Sequence, residues 1–207
     1  MNKIIEVKEN TVQHIEESLE KAYNYIEYEK LIEDLLKENK STTKDAGEDF
    51  VHYSKLGIRR MKRWDKTFKL SVEQLEQIKK YKKNIIWVVL SEGWCGDAAH
   101  SIPIINKIAE ANENIELKIV LREENLDLMN DFLTNGGKSI PKLIAFNPKE
   151  KTVEGTWGPR PKPAQDIFLE AREKEVDFET YEKDLQTWYN KDKGQTATKE
   201  LLKLLEN

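Results

Sequence analysis

A single cysteine, Cys95, leaves no partner for an internal disulfide, so the fold cannot depend on covalent staples. The three histidines, His14, His52 and His100, are scattered without the paired spacing of a zinc site, and no metal is expected. No segment approaches the ~20 consecutive apolar residues of a membrane span. The stretch Met1 to Glu6 has no apolar core of signal-peptide length, so a cytoplasmic protein with no membrane partner is expected. A formal net charge of -4 gives no general attraction to phosphate backbones, and nucleic acid is not an expected partner. One local basic stretch, Lys55, Arg59, Arg60, Lys62, Arg63 and Lys66, lacks aromatic interleaving and reads as a solvated helix face. Internal repeats and low-complexity tracts are also missing.

What is present suits one main, well-filled domain: 207 residues, 38% hydrophobic and 35% charged, with five tryptophans. From Thr11 to Asn39 the apolar residues keep helical spacing, broken around Tyr23-Asn24-Tyr25, which makes one broken helix or two. Lys40 to Lys44 reads as a loop, and Phe50, Tyr53, Leu56 and Met61 outline a further amphipathic helix. A weak strand is expected at Phe68-Lys69-Leu70, then a helix to about Lys82 opened by a capping box between Ser71 and Gln74.

Ile85 to Leu90 is a continuous, β-branched apolar run, as in a central strand covered on both faces. A helix from Ala98 to Ala111, a strand from Glu116 to Leu121 and a helix from Leu126 to Leu133 follow, then a turn at Asn135-Gly136-Gly137. The strands Lys142 to Phe146 and Thr152 to Glu154 are close enough to pair antiparallel across the turn at Asn147-Pro148. Beyond Pro161 the pattern is helical again. Three regions are expected: a helical extension over 1–64, an α/β domain over 65–175 and a helical tail over 176–207 packed on that domain.

This order of elements, with Trp94-Cys95-Gly96-Asp97 at a strand-to-helix junction, Pro103 along that helix and Ile140-Pro141 before a later strand, resembles the thioredoxin family. The resemblance covers roughly Asp65 to Glu175 and implies a three-layer α/β/α mixed sheet. It is closest to bacterial thioredoxin-like proteins whose motif reads Trp-Cys-Gly-Asp-Cys, with Ala98 here replacing the second cysteine. It implies a cis bond at Pro141 beside Cys95, and pairing of the Ile140 backbone with an extended substrate segment. The family's buried carboxylate on the preceding strand aligns with Val89.

Cys95 at a helix start would have its thiolate stabilised by unpaired amides, whereas the Asp97 carboxylate acts against ionisation; the net sign is open. Without a second thiol, a mixed disulfide on Cys95 must be released by another molecule. The resemblance therefore implies a monothiol disulfide oxidoreductase acting on protein or low-molecular-weight disulfides. Cys95 is its nucleophile and glutathione or another small thiol its co-substrate, with no further cofactor. The alternative is a redox-inactive binding module using the cis-proline groove. Iron–sulfur assembly and peroxidase chemistry are disfavoured, because their motifs are missing.

Trp157 and Gly158 are expected to shape the groove with Trp94, Gly96 and Asp97. Arg160 would offer a cation to the thiolate or to a ligand carboxylate, against the simpler reading of a rigid turn with a solvated arginine. His100 reads as an exposed helix position, with a proton relay as the lesser reading. Trp87 is expected inside the sheet, and Tyr23, Tyr25, Tyr28 and Trp64 in packing. The terminal helices cover the sheet or dock a partner, and the oligomeric state is open.

Overall fold

The structure, a computed structural model, describes residues 5–45 and 47–206, so the first four residues of the N-terminal stretch read above lie outside it. Four helices come first: α1 (Thr11–Leu19), α2 (Tyr25–Lys37), α3 (Glu48–Thr67) and α4 (Val72–Lys80). The break between α1 and α2 has a local cause. The Asn24 side chain accepts from the Glu27 backbone N–H, and the Glu27 carboxylate accepts from Asn24 N, both at 2.9 Å. This capping box starts a second helix instead of continuing the first. The expected box at α4 is also formed, with Gln74 N donating to Ser71 Oγ at 3.2 Å and Ser71 N to Gln74 Oε1 at 2.8 Å.

The sheet contains β1 (Ile85–Ser91), β2 (Ile115–Leu121), β3 (Lys142–Asn147) and β4 (Thr152–Trp157), in the order β2-β1-β3-β4. β1 runs parallel to β2 through the crossover helix α5 (Gly96–Glu110); β3 is antiparallel to both β1 and β4. A short helix, α6 (Leu126–Asp131), follows β2, and α7 (Lys162–Glu173), α8 (Phe178–Asp192) and α9 (Gln195–Leu202) close the chain. The result is a mixed α/β fold with its sheet flanked by helices, as a thioredoxin-like architecture requires. β1 lies at the centre, and Trp87, Val88, Val89 and Leu90 are all fully buried.

The expected strand at Phe68-Lys69-Leu70 does not form. Phe68 caps the C-terminus of α3, its N–H donating to Trp64 O at 2.8 Å, and its ring is buried at 4% exposure. The outer edge of β2 is met instead by Tyr23, whose N and O both hydrogen-bond to Ile119 at 2.8 Å. At the opposite edge, Ile5 N donates to Val153 O at 3.0 Å. The N-terminal segment thus blunts both sheet edges, a protection that exposed strands commonly need.

One hydrophobic core joins Ile15, Tyr28, Ile32 and Met61 of the first three helices to the sheet and α5. Helix α3 crosses residues 64 and 65 without a break. It packs closely on the loop after β1: a Cβ at Gly57 would lie 2.8 Å from Gly93 O, so only glycine permits this approach. Helices α7 and α8 instead share a small separate cluster of Ala164, Leu185 and Tyr189.

Candidate functional site

β1 ends at Ser91, and the next four residues bring Cys95 to the N-cap of α5. A buried carboxylate holds this loop. Glu92 is fully enclosed; its Oε1 accepts from Glu123 N at 3.0 Å and its Oε2 from the hydroxyl of Thr42, which in turn accepts from Gly93 N at 3.0 Å. Trp94 extends the same net, its indole N–H donating to Thr43 Oγ1 at 2.8 Å while Arg122 lies over its ring at 5.2 Å. The loop at Ser41 to Thr43 therefore fixes the motif from outside the α/β unit. Sequence reasoning missed Glu92, because its role depends on hydroxyls fifty residues away.

The Cys95 sulfur sits against the Ile140-Pro141 bond, which is cis, and Sγ–H donates to Ile140 O at 3.3 Å. The Gly158-Pro159 bond, which the sequence did not flag, is also cis. Gly158 has φ +109°, and a Cβ there would lie 2.2 Å from Pro141 O, so this glycine lets the strand end press against the proline. Cys95 is only 7% exposed. Burial pushes its thiol up to about 12, and the Asp97 carboxylate adds to this. The amides of Ala98 and Asp97 and the Arg160 guanidinium oppose it without reversing it. Burial and Asp97 outweigh the amides and Arg160, which favours the neutral thiol.

Asp97 is the centre of a second net. Its Oδ2 accepts from Arg160, whose Nε lies at 2.9 Å, and its Oδ1 accepts from the Tyr189 hydroxyl at 2.7 Å. Arg160 is thus engaged by a carboxylate of the motif itself; its remaining amino group reaches Gln165 Oε1 at 3.1 Å, and Phe168 stacks beneath it at 4.3 Å. His100 is not exposed, as its helical position had suggested, but 2% accessible, because α3 and α8 close over that face of α5. The Trp64 indole donates to His100 Nδ1 at 3.0 Å, which leaves the proton on Nε2 to donate to Gln186 Oε1 at 3.2 Å. Burial holds the imidazole down at about 3, and the Tyr189 ring stacks on it at 4.1 Å. A neutral histidine used on both nitrogens is a packing element here.

Between the motif and α8 lies a cavity of about 470 Å³ with Cys95, Ile140 and Asp97 on one side and Leu185 and Tyr189 on the other. Among the expected site residues, Trp94, Cys95, Gly96, Asp97, Ile140 and Arg160 line it. Pro141 and Gly158 lie behind it. Trp157 is turned away, its indole donating to Glu200 Oε2 at 2.8 Å on α9. Arg60, read from sequence as part of a solvated face, instead enters the cavity and meets Glu182 of α8 at 3.4 Å. Its position on the inward side of a long basic helix is decided by α8, which no local pattern reveals. Arg122 and Lys138 also line the cavity and were not anticipated.

Among the described residues, no group of three or more His, Cys, Asp and Glu is placed to hold a metal ion. No helix among them is long and apolar enough to cross a membrane. No curated protein matches the chain. Two solved structures share the fold at a TM-score of 0.55. One is a Pseudomonas aeruginosa protein of unknown function, 15% identical, covering 89% of this chain and 98% of its own. The other is an HIV epitope-scaffold, 16% identical, covering 84% and 96% respectively. A family profile described as thioredoxin matches residues 43–192, beyond the stretch that carries the motif resemblance and including α3 and α8. With most of its length matched and the cis-proline sheet in place, the chain belongs to the thioredoxin family.

Proposed function

We propose that this thioredoxin-like domain is a binding module whose site is the cavity between the Cys95 motif and α8, with Cys95 redox-silent while α8 is closed. The observation carrying this reading is the Sγ–H donation to Ile140 O at 3.3 Å. The lone thiol and the carbonyl that strand addition would use occupy each other. Burial and the Asp97 carboxylate keep the thiol in its neutral form at pH 7. No second cysteine exists to release a mixed disulfide.

The second reading is monothiol exchange, favoured by the N-cap position of Cys95 and by the two amides that stabilise its thiolate. The Cys95 thiolate would attack a disulfide sulfur and form a mixed disulfide while the leaving thiolate takes the electron pair. A glutathione-type thiolate would then attack that mixed disulfide and free Cys95. This requires α8 to move away.

Alkylation of Cys95 by iodoacetamide against pH separates the two. The binding module predicts a midpoint well above the free-thiol value of ~8.5 and no glutathione-dependent reduction beyond that of Cys95→Ser. A midpoint below that value, with glutathione-dependent turnover lost in Cys95→Ser, would establish the oxidoreductase instead.

A further inference from the structure

The charges around the cavity say what it would hold. Arg60, Arg122, Lys138 and Arg160 line it against two carboxylates, Asp97 and Glu182, and His100 is neutral. That is an excess of two positive charges in a chain whose net charge is -4.

The cations are not equivalent. Arg160 is committed to Asp97, and Arg60 faces Glu182. Arg122 and Lys138 form the opposite wall: Arg122 donates to the Lys138 carbonyl at 3.3 Å and, through Nε at 2.9 Å and one amino group, to its sequence neighbour Glu123. The Lys138 ammonium, exposed at the mouth of the cavity, has no hydrogen-bond or ion-pair partner among the described residues. With the Arg122 fork turned to Glu123, the Lys138 ammonium is the cation of this wall left for an incoming anion, and the amino hydrogens that Arg122 keeps free add charge-assisted donors.

Apolar and aromatic side chains make up much of the remaining lining, with Phe178, Tyr181 and Leu185 of α8 facing Trp94 and Ile140 and with Ser139 and Gln186 as polar members. A volume of about 470 Å³ lies in the range of small-molecule sites. Building on the binding-module reading, we propose that the cavity takes a small monocarboxylate with an apolar body, its anionic end on Arg122 and Lys138. Arg160 and Arg60 are taken up by Asp97 and Glu182, and Arg122 by Glu123, which leaves one unmatched charge for the ligand.

Dansylglycine, an apolar carboxylate, and dansylamide, its neutral counterpart, test this by fluorescence titration of the full chain at pH 7. Dansylglycine is expected to bind roughly tenfold tighter, as a charge-assisted hydrogen bond implies. Lys138→Gln and Arg122→Gln should each remove most of that preference, read as the ratio of the two affinities measured on the same variant. Lys138 is exposed and unpaired, so its variant folds whatever the effect of losing Arg122. Equal affinity for the two probes, or a preference surviving both variants, overturns the charge assignment and leaves the binding module standing. Failure of both probes to bind the folded chain overturns both.

Discussion

The Tyr189 hydroxyl donates to Asp97 Oδ1 at 2.7 Å, so a residue on α8 is tied to the carboxylate two positions beyond the lone cysteine. Around this bond α8 meets the motif side through polar contacts, Gln186 to His100, Glu182 to Arg60 and Asn190 accepting from Arg63, together with two ring contacts, Tyr189 on His100 and Phe178 against Tyr53. Its apolar contacts are made largely with α7, in a cluster separate from the main core. A cover held by hydrogen bonds opens at lower cost than one held by core packing.

Tyr189→Phe is therefore expected to raise the alkylation rate of Cys95 roughly three- to tenfold at pH 8, since it deletes one hydrogen bond to a charged group and keeps the ring stacked on His100. Iodoacetamide labelling followed by mass spectrometry reads this directly. A rate equal to wild type would mean that α8 does not control access to the sulfur.

Stability should fall as pH rises from about 4.5 to about 7, through Glu29. Burial and the neighbouring Asp65 push its carboxyl from an ordinary 4.5 up to about 7, and Asp65 is itself raised by burial while it accepts the Tyr25 hydroxyl at 2.9 Å. Across that window the folded chain keeps a proton that the unfolded chain releases, so the unfolded state gains as pH increases. The contribution is fully present below about 4.5 and lost by about 7. Urea midpoints should show Glu29→Gln gaining on wild type as pH rises; parallel curves for the two proteins would contradict it.

Gly158→Ala should cost about 3 kcal/mol, because φ is +109° and the new Cβ would meet Pro141 O at 2.2 Å. Gly136, at φ +76° with nothing within 4 Å of a built Cβ, is the control, and its alanine variant should cost about 1 kcal/mol. Denaturant unfolding of the pair measures the difference, and equal losses would remove the special role of the contact with Pro141.

The thioredoxin order of elements was legible because it rests on short-range signals. The β-branched run of Ile85 to Leu90 and the capping box at Ser71 each record a local requirement of backbone or burial, whereas the pairing of Cys95 with Pro141 was implied by the family resemblance. Phe68 to Leu70 failed as a strand for a nonlocal reason: Tyr23 already holds the edge of β2. His100 and Arg60 were placed on the surface because α5 and α3 taken singly have outer faces, and those faces are covered only once α8 folds back.

Composition and pattern alone determined a disulfide-free α/β chain with one thiol at a strand-to-helix junction. The chemical state of that thiol was decided only in three dimensions. Ionisation depends on solvent exclusion and on charges within a few ångströms, and Asp97, Arg160, Tyr189 and the Ile140 carbonyl come from four separate parts of the chain. No linear spacing records their meeting, because it follows from how helices pack and not from the propensity of any one of them.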